Sequence, residues 1–385
     1  MYYNEFKGEK ISALGLGCMR LPCREDKSID TEELQKMVDY AISHGVNFFD
    51  TAYVYHGGMS EIEIGKALSK YPRDSYYLCD KYPGHSIQDT YDVKTIFERQ
   101  LERCGVDYFD FYLLHNAYEN SFPVYEDEKW GIIDYLLEQK KQGRIRHLGL
   151  SSHASPENLE AFLDRHPGVF EYCLIETNYL DWTLQDAKSK YENLSRRGFG
   201  IGVMEPLRGG RLATAPDLEK PVESAFRFLQ GKKNLTVILS GMSSFEQMAA
   251  NIEIFRERRP LSEEEEKKVF EVAEKLKNAV PCTACRYCMD GCPMGLEIPR
   301  LIATYNDLKF QNRATPVMWM DNLPADKLPS ACLSCGACMQ ICPQKINIPQ
   351  VMQDFDELLS KTTRWAEICR QRAEEEKKLN EKLGK

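Results

Sequence analysis

The sequence predicts an α/β protein: a (β/α)8 barrel followed by a small, mainly helical domain. Two observations carry this. Over the first 260 residues, short apolar runs alternate with amphipathic stretches of helical period, the pattern of repeated βα units around a parallel sheet, and eight such runs is the number that closes a barrel. Near the C-terminus a four-cysteine run occurs twice at one spacing, each time ending in Cys-Pro, which marks a separate duplicated unit. At 385 residues the chain exceeds what one core usually serves, so unequal domains are expected. We place the barrel at 1–260, a connecting helix at 261–280, the cysteine domain at 281–350 and a charged helical tail at 351–385.

The candidate strands are 13–17, 46–50, 76–80, 109–114, 147–151, 172–176, 200–204 and 236–239. Between and after them, apolar residues recur at helical spacing over 31–43, 60–68, 90–103, 129–142, 156–164, 184–196, 222–230 and 245–255. Asp89, Ser155 and Ser244 are N-cap candidates, because their side-chain oxygens accept from the unpaired amides of a first turn. A hairpin with Gly8 in its turn precedes the first strand and is placed to plug the barrel's lower end. Ser262 caps the connecting helix, whose first turn holds Glu263 to Glu266, the charge that a helix N-terminus favours. The tail mixes charges of both signs and reads as a solvated helix, with a dimer contact as the alternative.

The last hundred residues are close to neutral, so the net charge of -9 rests almost wholly on the first 280. No basic patch points to nucleic acid, and no apolar run long enough for a membrane span is present. The opening residues, Met1 to Lys7, lack a basic region followed by an apolar one, so a cytoplasmic location is expected.

The cysteine runs are Cys282, Cys285, Cys288 and Cys292, then Cys332, Cys335, Cys338 and Cys342. Each reads C-x2-C-x2-C-x3-C-P. A structural zinc site needs only four thiolates in paired C-x2-C units, so eight in triplets fit zinc poorly. The spacing resembles that of bacterial-type ferredoxins. This resemblance implies two [4Fe-4S] clusters with the fourth ligand crossed: Cys282, Cys285, Cys288 and Cys342 for one, Cys332, Cys335, Cys338 and Cys292 for the other. Cys292-Pro-Met-Gly-Leu-Glu-Ile-Pro299 is echoed by Cys342-Pro-Gln-Lys-Ile-Asn-Ile-Pro349, and Leu301, Ile302, Tyr305 and Leu308 continue at helical spacing. A mainly helical, ferredoxin-like module follows. The remaining cysteines, Cys18, Cys23, Cys79, Cys104, Cys173 and Cys369, read as small buried apolar residues.

In such a barrel the chemistry gathers where strands end, so the polar residues after each apolar run are the candidates: Asp50, Tyr55, Lys81 and His115. With Asn47-Phe-Phe-Asp-Thr-Ala-Tyr-Val-Tyr-His-Gly57, Asp80-Lys81, Asp110-Phe-Tyr-Leu-Leu-His115, Gly149-Leu-Ser-Ser152, Met204-Glu-Pro-Leu-Arg-Gly-Gly210 and Ser240-Gly241 leading to Asn251, the first two thirds of the chain resembles the aldo-keto reductases. The whole resembles the branch carrying a C-terminal two-cluster ferredoxin domain. The resemblance implies NADH- or NADPH-dependent reduction of a small carbonyl, or oxidation of an alcohol, with Tyr55 as proton donor. A free phenol is too weak an acid, so Lys81 is expected to lower its pKa, with Asp50 holding Lys81 charged. His115 is expected to hydrogen-bond the substrate oxygen.

The same resemblance implies coenzyme contacts from Ser151, Ser152, Leu207, Gly209, Gly210, Ser240, Gly241, Gln247 and Asn251. Three positions depart from it: Leu174 replaces a carboxamide-binding Gln, and Gly241 and Gln247 replace cations that hold the 2'-phosphate of NADPH, which favours NADH. Arg208 and Arg211 are read as solvated loop arginines, and Tyr53, His56 and Tyr82 as pocket lining at most. Substrate selection is assigned to the aromatic loop residues Tyr118, Phe122, Trp130, Tyr179 and Trp182.

Hydride carries two electrons and an iron–sulfur centre accepts one, so the clusters serve electron transfer or stability, the former through a redox partner protein. Two alternatives stay open: a cluster-driven oxidoreductase assisted by flavin, and a non-enzymatic redox or partner-binding protein.

Overall fold

The computed structural model describes residues 1–84, 92–215, 217–277, 280, 282, 286–310, 312–342 and 344–382. It divides into two compact units, Met1–Val269 with Arg372–Lys385, and Phe270–Gln371.

In the first unit, strands β1 (Tyr3–Phe6) and β2 (Glu9–Ser12) form the expected antiparallel hairpin. Eight parallel strands follow: β3 (Leu14–Gly17), β4 (Phe48–Asp50), β5 (Tyr77–Tyr82), β6 (Phe109–Ala117), β7 (Ile145–Ser152), β8 (Tyr172–Glu176), β9 (Gly200–Met204) and β10 (Leu235–Ser240). They pair in chain order, and β10 closes on β3 to complete the barrel. Phe6 and Ile11 of the hairpin pack with Phe48, Phe111, Tyr172 and Val237 in the barrel interior, so the hairpin is a hydrophobic plug. Gly202 is required there, because a Cβ at that position would stand 1.8 Å from the Tyr172 hydroxyl.

The surrounding helices are α1 (Thr31–Ser43), α2 (Met59–Leu68), α3 (Val93–Cys104), α4 (Phe122–Glu126), α5 (Ile132–Lys141), α6 (Pro156–Arg165), α7 (Asp181–Leu184), α8 (Ala187–Arg196), α9 (Pro221–Gln230) and α10 (Phe245–Ile254). Ser155 and Ser244 cap α6 and α10. Asp89 lies outside the described residues, and the cap of α3 is Asp92. The helix expected over 184–196 starts at Ala187, because Asp186 before it adopts positive φ and accepts the Ser189 amide on its carboxylate, while Leu184 ends the separate α7. Helix α11 (Glu263–Lys277) starts at a reciprocal capping box between Ser262 and Glu265.

The second unit is helical: α12 (Tyr287–Asp290), α13 (Ile298–Phe310), α14 (Ala337–Gln340), α15 (Ile348–Ser360) and the first turns of α16 (Trp365–Lys382). Its core pairs residues fifty positions apart, Leu296 with Ile346, Ile298 with Ile348, Leu301 with Val351, Ile302 with Met352 and Tyr305 with Phe355 in the two copies. The backbone repeats too, since Lys345 takes the positive φ that Gly295 has in the first copy. The tail is therefore not a solvated helix throughout: α15 closes this core with Val351, Met352, Phe355 and Leu359, and residues 372–385 belong to the barrel unit. Among the other cysteines Cys23 is exposed, against expectation, because it sits in the loop after β3 beside His56; the remaining five are buried. No described helix is long and apolar enough to cross a membrane.

Candidate functional site

Asp50 ends β4 and Lys81 lies one residue before the end of β5, on neighbouring strands of the barrel. Their side chains are buried and meet, Lys81 Nζ to Asp50 Oδ1 at 2.6 Å, and Nζ also donates to the Thr51 carbonyl at 2.6 Å. Tyr55 opens the short 3-10 turn after β4, half-buried, its ring centroid 5.1 Å from Lys81 Nζ. His115, buried near the end of β6, meets the Tyr55 ring edge-on at 5.7 Å. The four predicted residues thus share one site at the C-terminal mouth of the barrel.

Burial acts against the Lys81 ammonium, but Asp50, Tyr55 and Cys79 outweigh it and hold the amine above its ordinary pKa, firmly charged. Tyr55 corrects an expectation. Its phenol lies above the ordinary value rather than below it, since burial raises it, Asp50 adds to the rise, and the pull of Lys81 and Arg372 recovers only part. The site offers a neutral phenol with a cation beside it, an arrangement able to give a proton to an oxyanion.

Behind Lys81 lies a network that sequence reasoning missed. Glu61 of α2 and Asp80 of β5 are fully buried together, Glu61 receiving Arg103 and Gln100, each at 2.9 Å, while Asp80 accepts the Lys81 amide. Burial and Glu61 push Asp80 well above the usual carboxylate range. The signal in the sequence was Glu61 and Ile64 sharing one helical face.

Of the coenzyme candidates, Ser151 and Ser152 are buried at the end of β7, and the Ser152 hydroxyl donates to the Ala117 carbonyl at 2.8 Å. Leu207, Gly209 and Gly210 form a tight 3-10 turn after β9, both glycines at positive φ, with open space where a Cβ of Gly210 would be. Ser240 ends β10, and Asn251 is turned inward to bond its hydroxyl at 3.0 Å. Gly241 and Gln247 are exposed, and the Gln247 side chain accepts the Ser243 amide. The stem of Arg20 packs where a side chain at 241 would stand, 3.1 Å from that Cβ position. Leu174 is buried in the barrel interior and offers no carboxamide partner.

One further reading is corrected. Arg208 is not solvated: it is fully buried and its Nε donates to Asp181, at 2.9 Å and 3.1 Å, because the glycine turn folds it inward. Tyr53 bonds Glu376 and Arg99, His56 accepts the Leu21 amide and lines a small hollow with Lys27 and Glu63, and Tyr82 is buried. Phe122 stacks on Phe162, and Tyr179 and Trp182 pack edge-on against Phe228.

In the second unit Cys332, Cys335, Cys338 and Cys292 line one hollow of about 360 Å³, part of it open to solvent, with Leu333, Met294 and Met352. Cys282, Cys288 and Cys342 line another of about 310 Å³. Cys285 lies outside the described residues. In each hollow a thiol from one run joins those of the other. Among the described residues no three His, Cys, Asp or Glu side chains stand close enough to share a single ion. An all-thiol lining suits an iron–sulfur cube.

A profile of the Aldo/keto reductase family matches residues 13–227 and one of a 4Fe-4S dicluster domain matches residues 281–346. A probable aldo-keto reductase of Glycine max is 30% identical over 215 residues, 53% of this chain and 58% of that protein, so the chain spans somewhat over half of that relative. The L-galactose dehydrogenase of Arabidopsis thaliana is 27% identical over 313 residues, 70% of this chain and 93% of that enzyme. The holo form of an aldo-keto reductase from Bacillus halodurans has the same fold, with a TM-score of 0.58 at 23% identity over 71% of this chain and 96% of that one.

Proposed function

Since the chain belongs to the aldo/keto reductase family and carries a 4Fe-4S dicluster domain, we propose that it reduces a small carbonyl compound with NADH or NADPH, or oxidises the matching alcohol, with Tyr55 as the proton donor. The observation that carries this is the buried Lys81 and Asp50 pair beneath the Tyr55 ring with His115 across from it. The coenzyme, when bound, supplies the hydride. The protein's residues do the rest: His115 orients the carbonyl oxygen, Tyr55 hands it a proton, and Lys81, fixed by Asp50, favours the phenolate left behind. Ser151, Ser152, the turn of Leu207, Gly209 and Gly210, and Ser240 with Gly241, Gln247 and Asn251 border the coenzyme. Arg20, whose stem packs against Gly241, would be the cation nearest in reach for a 2'-phosphate, which keeps NADPH open beside NADH.

Two [4Fe-4S] clusters are held by Cys332, Cys335, Cys338 and Cys292 and by Cys282, Cys285, Cys288 and Cys342, and supply one-electron chemistry when present. The hollows lined by mixed runs support the crossed sets. The test is anaerobic isolation with iron analysis, then oxidation of each coenzyme against a panel of aldehydes and ketones. Turnover by wild type and its loss in Tyr55→Phe are expected; absence of turnover with every carbonyl would count against the reading.

A further inference from the structure

Residues 372–382 of α16 count with the barrel, and their exposure alternates. Arg372, Glu376, Leu379 and Asn380 are half-buried while Glu374, Glu375, Lys377 and Lys378 are exposed, the stripe of a helix lying on a surface. That surface is the turn carrying Tyr55. His56, Gly57 and Gly58 all adopt positive φ, and the two glycines let the helix come close. A Cβ at Gly57 would stand 3.3 Å from Glu375, and one at Gly58 3.1 Å from Leu379.

Glu376 fastens the contact. It accepts hydrogen bonds from the Tyr53 hydroxyl and from Arg99 at 3.3 Å, and Arg99 also donates to Tyr53 at 2.9 Å. The Arg103 guanidinium lies 4.8 Å over the Tyr53 ring and continues to Glu61, beside the Asp80 and Lys81 strand end. Arg372 sits one turn before Glu376 on the same face.

We propose that this end of α16 is a clamp on the catalytic turn, with Glu376 the positioning residue that anchors it through Tyr53 and Arg99 and so keeps the Tyr55 phenol beside Lys81. The proposal rests on the reading of Tyr55 as proton donor. The charges that act on Tyr55 are those of Lys81 of β5, Asp50 of β4 and Arg372 of α16, and His115 of β6 meets its ring; those around Glu376 are Tyr53, Arg99 and Arg103. The Arg372 charge lowers the Tyr55 pKa, in the same sense as Lys81 and against burial.

The test uses the full-length holoprotein with Glu376→Gln, Arg372→Gln and, on the exposed face, Glu374→Gln. Activity is read as kcat and KM. Tyr55 ionisation is read by carbon NMR of ring-labelled tyrosine through the alkaline range, assigned with Tyr55→Phe. Glu376→Gln and Arg372→Gln are expected to lower kcat about three- to tenfold with coenzyme KM unchanged, and to move the Tyr55 titration upward, while Glu374→Gln matches wild type. The upward shift is diagnostic for Glu376, because mere loss of a negative charge near a phenol moves its pKa down. A downward or absent shift, in protein whose cluster absorbance and Tm match wild type, overturns the clamp and leaves Tyr55 as donor. Wild-type turnover by Tyr55→Phe overturns the donor instead, and the NMR shift alone then decides for or against the clamp.

Discussion

Lys81 and Asp50 join at 2.6 Å from the ends of adjacent barrel strands, the lysine with none of its side chain open to water and the aspartate with 4%. A buried pair of this kind holds its geometry because neither charge has another place to go. Removing one partner leaves the other uncompensated.

Asp50→Asn is therefore expected to cost about 3 to 5 kcal/mol of stability and to lower turnover by about a hundredfold or more, because the Lys81 ammonium loses both its partner and its aim. Urea unfolding and steady-state kinetics check it. A variant as stable and as active as wild type would show that the pair neither holds the fold nor serves the chemistry.

The pH dependence follows from the raised Tyr55 phenol. Reduction consumes the protonated form, so its rate stays level through neutral pH and falls only as pH rises through the folded phenol's pKa, above tyrosine's ordinary value of about 10. Alcohol oxidation needs the phenolate and gains in the same window. Profiles of kcat in the two directions should mirror each other there; a reduction limb falling near neutrality would contradict the assignment.

Cys292 belongs to the first cysteine run by sequence and to the second run's hollow by geometry. Cys292→Ser is expected to remove the cluster of Cys332, Cys335 and Cys338, cutting iron from about eight to about four per chain and sparing the other cluster's spin resonance signal. Loss of the signal that Cys282→Ser also removes would indicate uncrossed ligation.

At the barrel's lower end, burial works against the Glu171 carboxylate, but hydrogen bonds from His147, Lys140 and Lys7 win and hold it below the usual range. A depressed pKa contributes stability above the unfolded value, about 4.3, that is lost as pH falls through and below it. The urea midpoint of wild type should drop between pH of about 6 and about 3 more steeply than that of Glu171→Gln. Parallel slopes would remove Glu171 from the account.

The barrel strands and the four mouth residues were legible because their signals are local: an apolar run, then a polar residue at its end. Helix 31–43 was equally plain from its period. The buried Arg208 was not, since a glycine turn that reads as an exposed loop folds inward only when Asp181 receives it. Nor was Glu376, which reaches Tyr53 across 323 residues of chain from a stretch whose composition is that of a solvated helix. The direction of the Tyr55 shift was missed for a related reason: Lys81 is visible in sequence, whereas the depth of burial that outweighs it is a property of the assembled mouth.

The most direct test of the central claim compares wild type with Tyr55→Phe, both purified anaerobically, in carbonyl-dependent oxidation of NADH and NADPH. The account predicts turnover by wild type and a loss of about a thousandfold in the variant, with cluster absorbance unchanged. Equal turnover by the two proteins would contradict it.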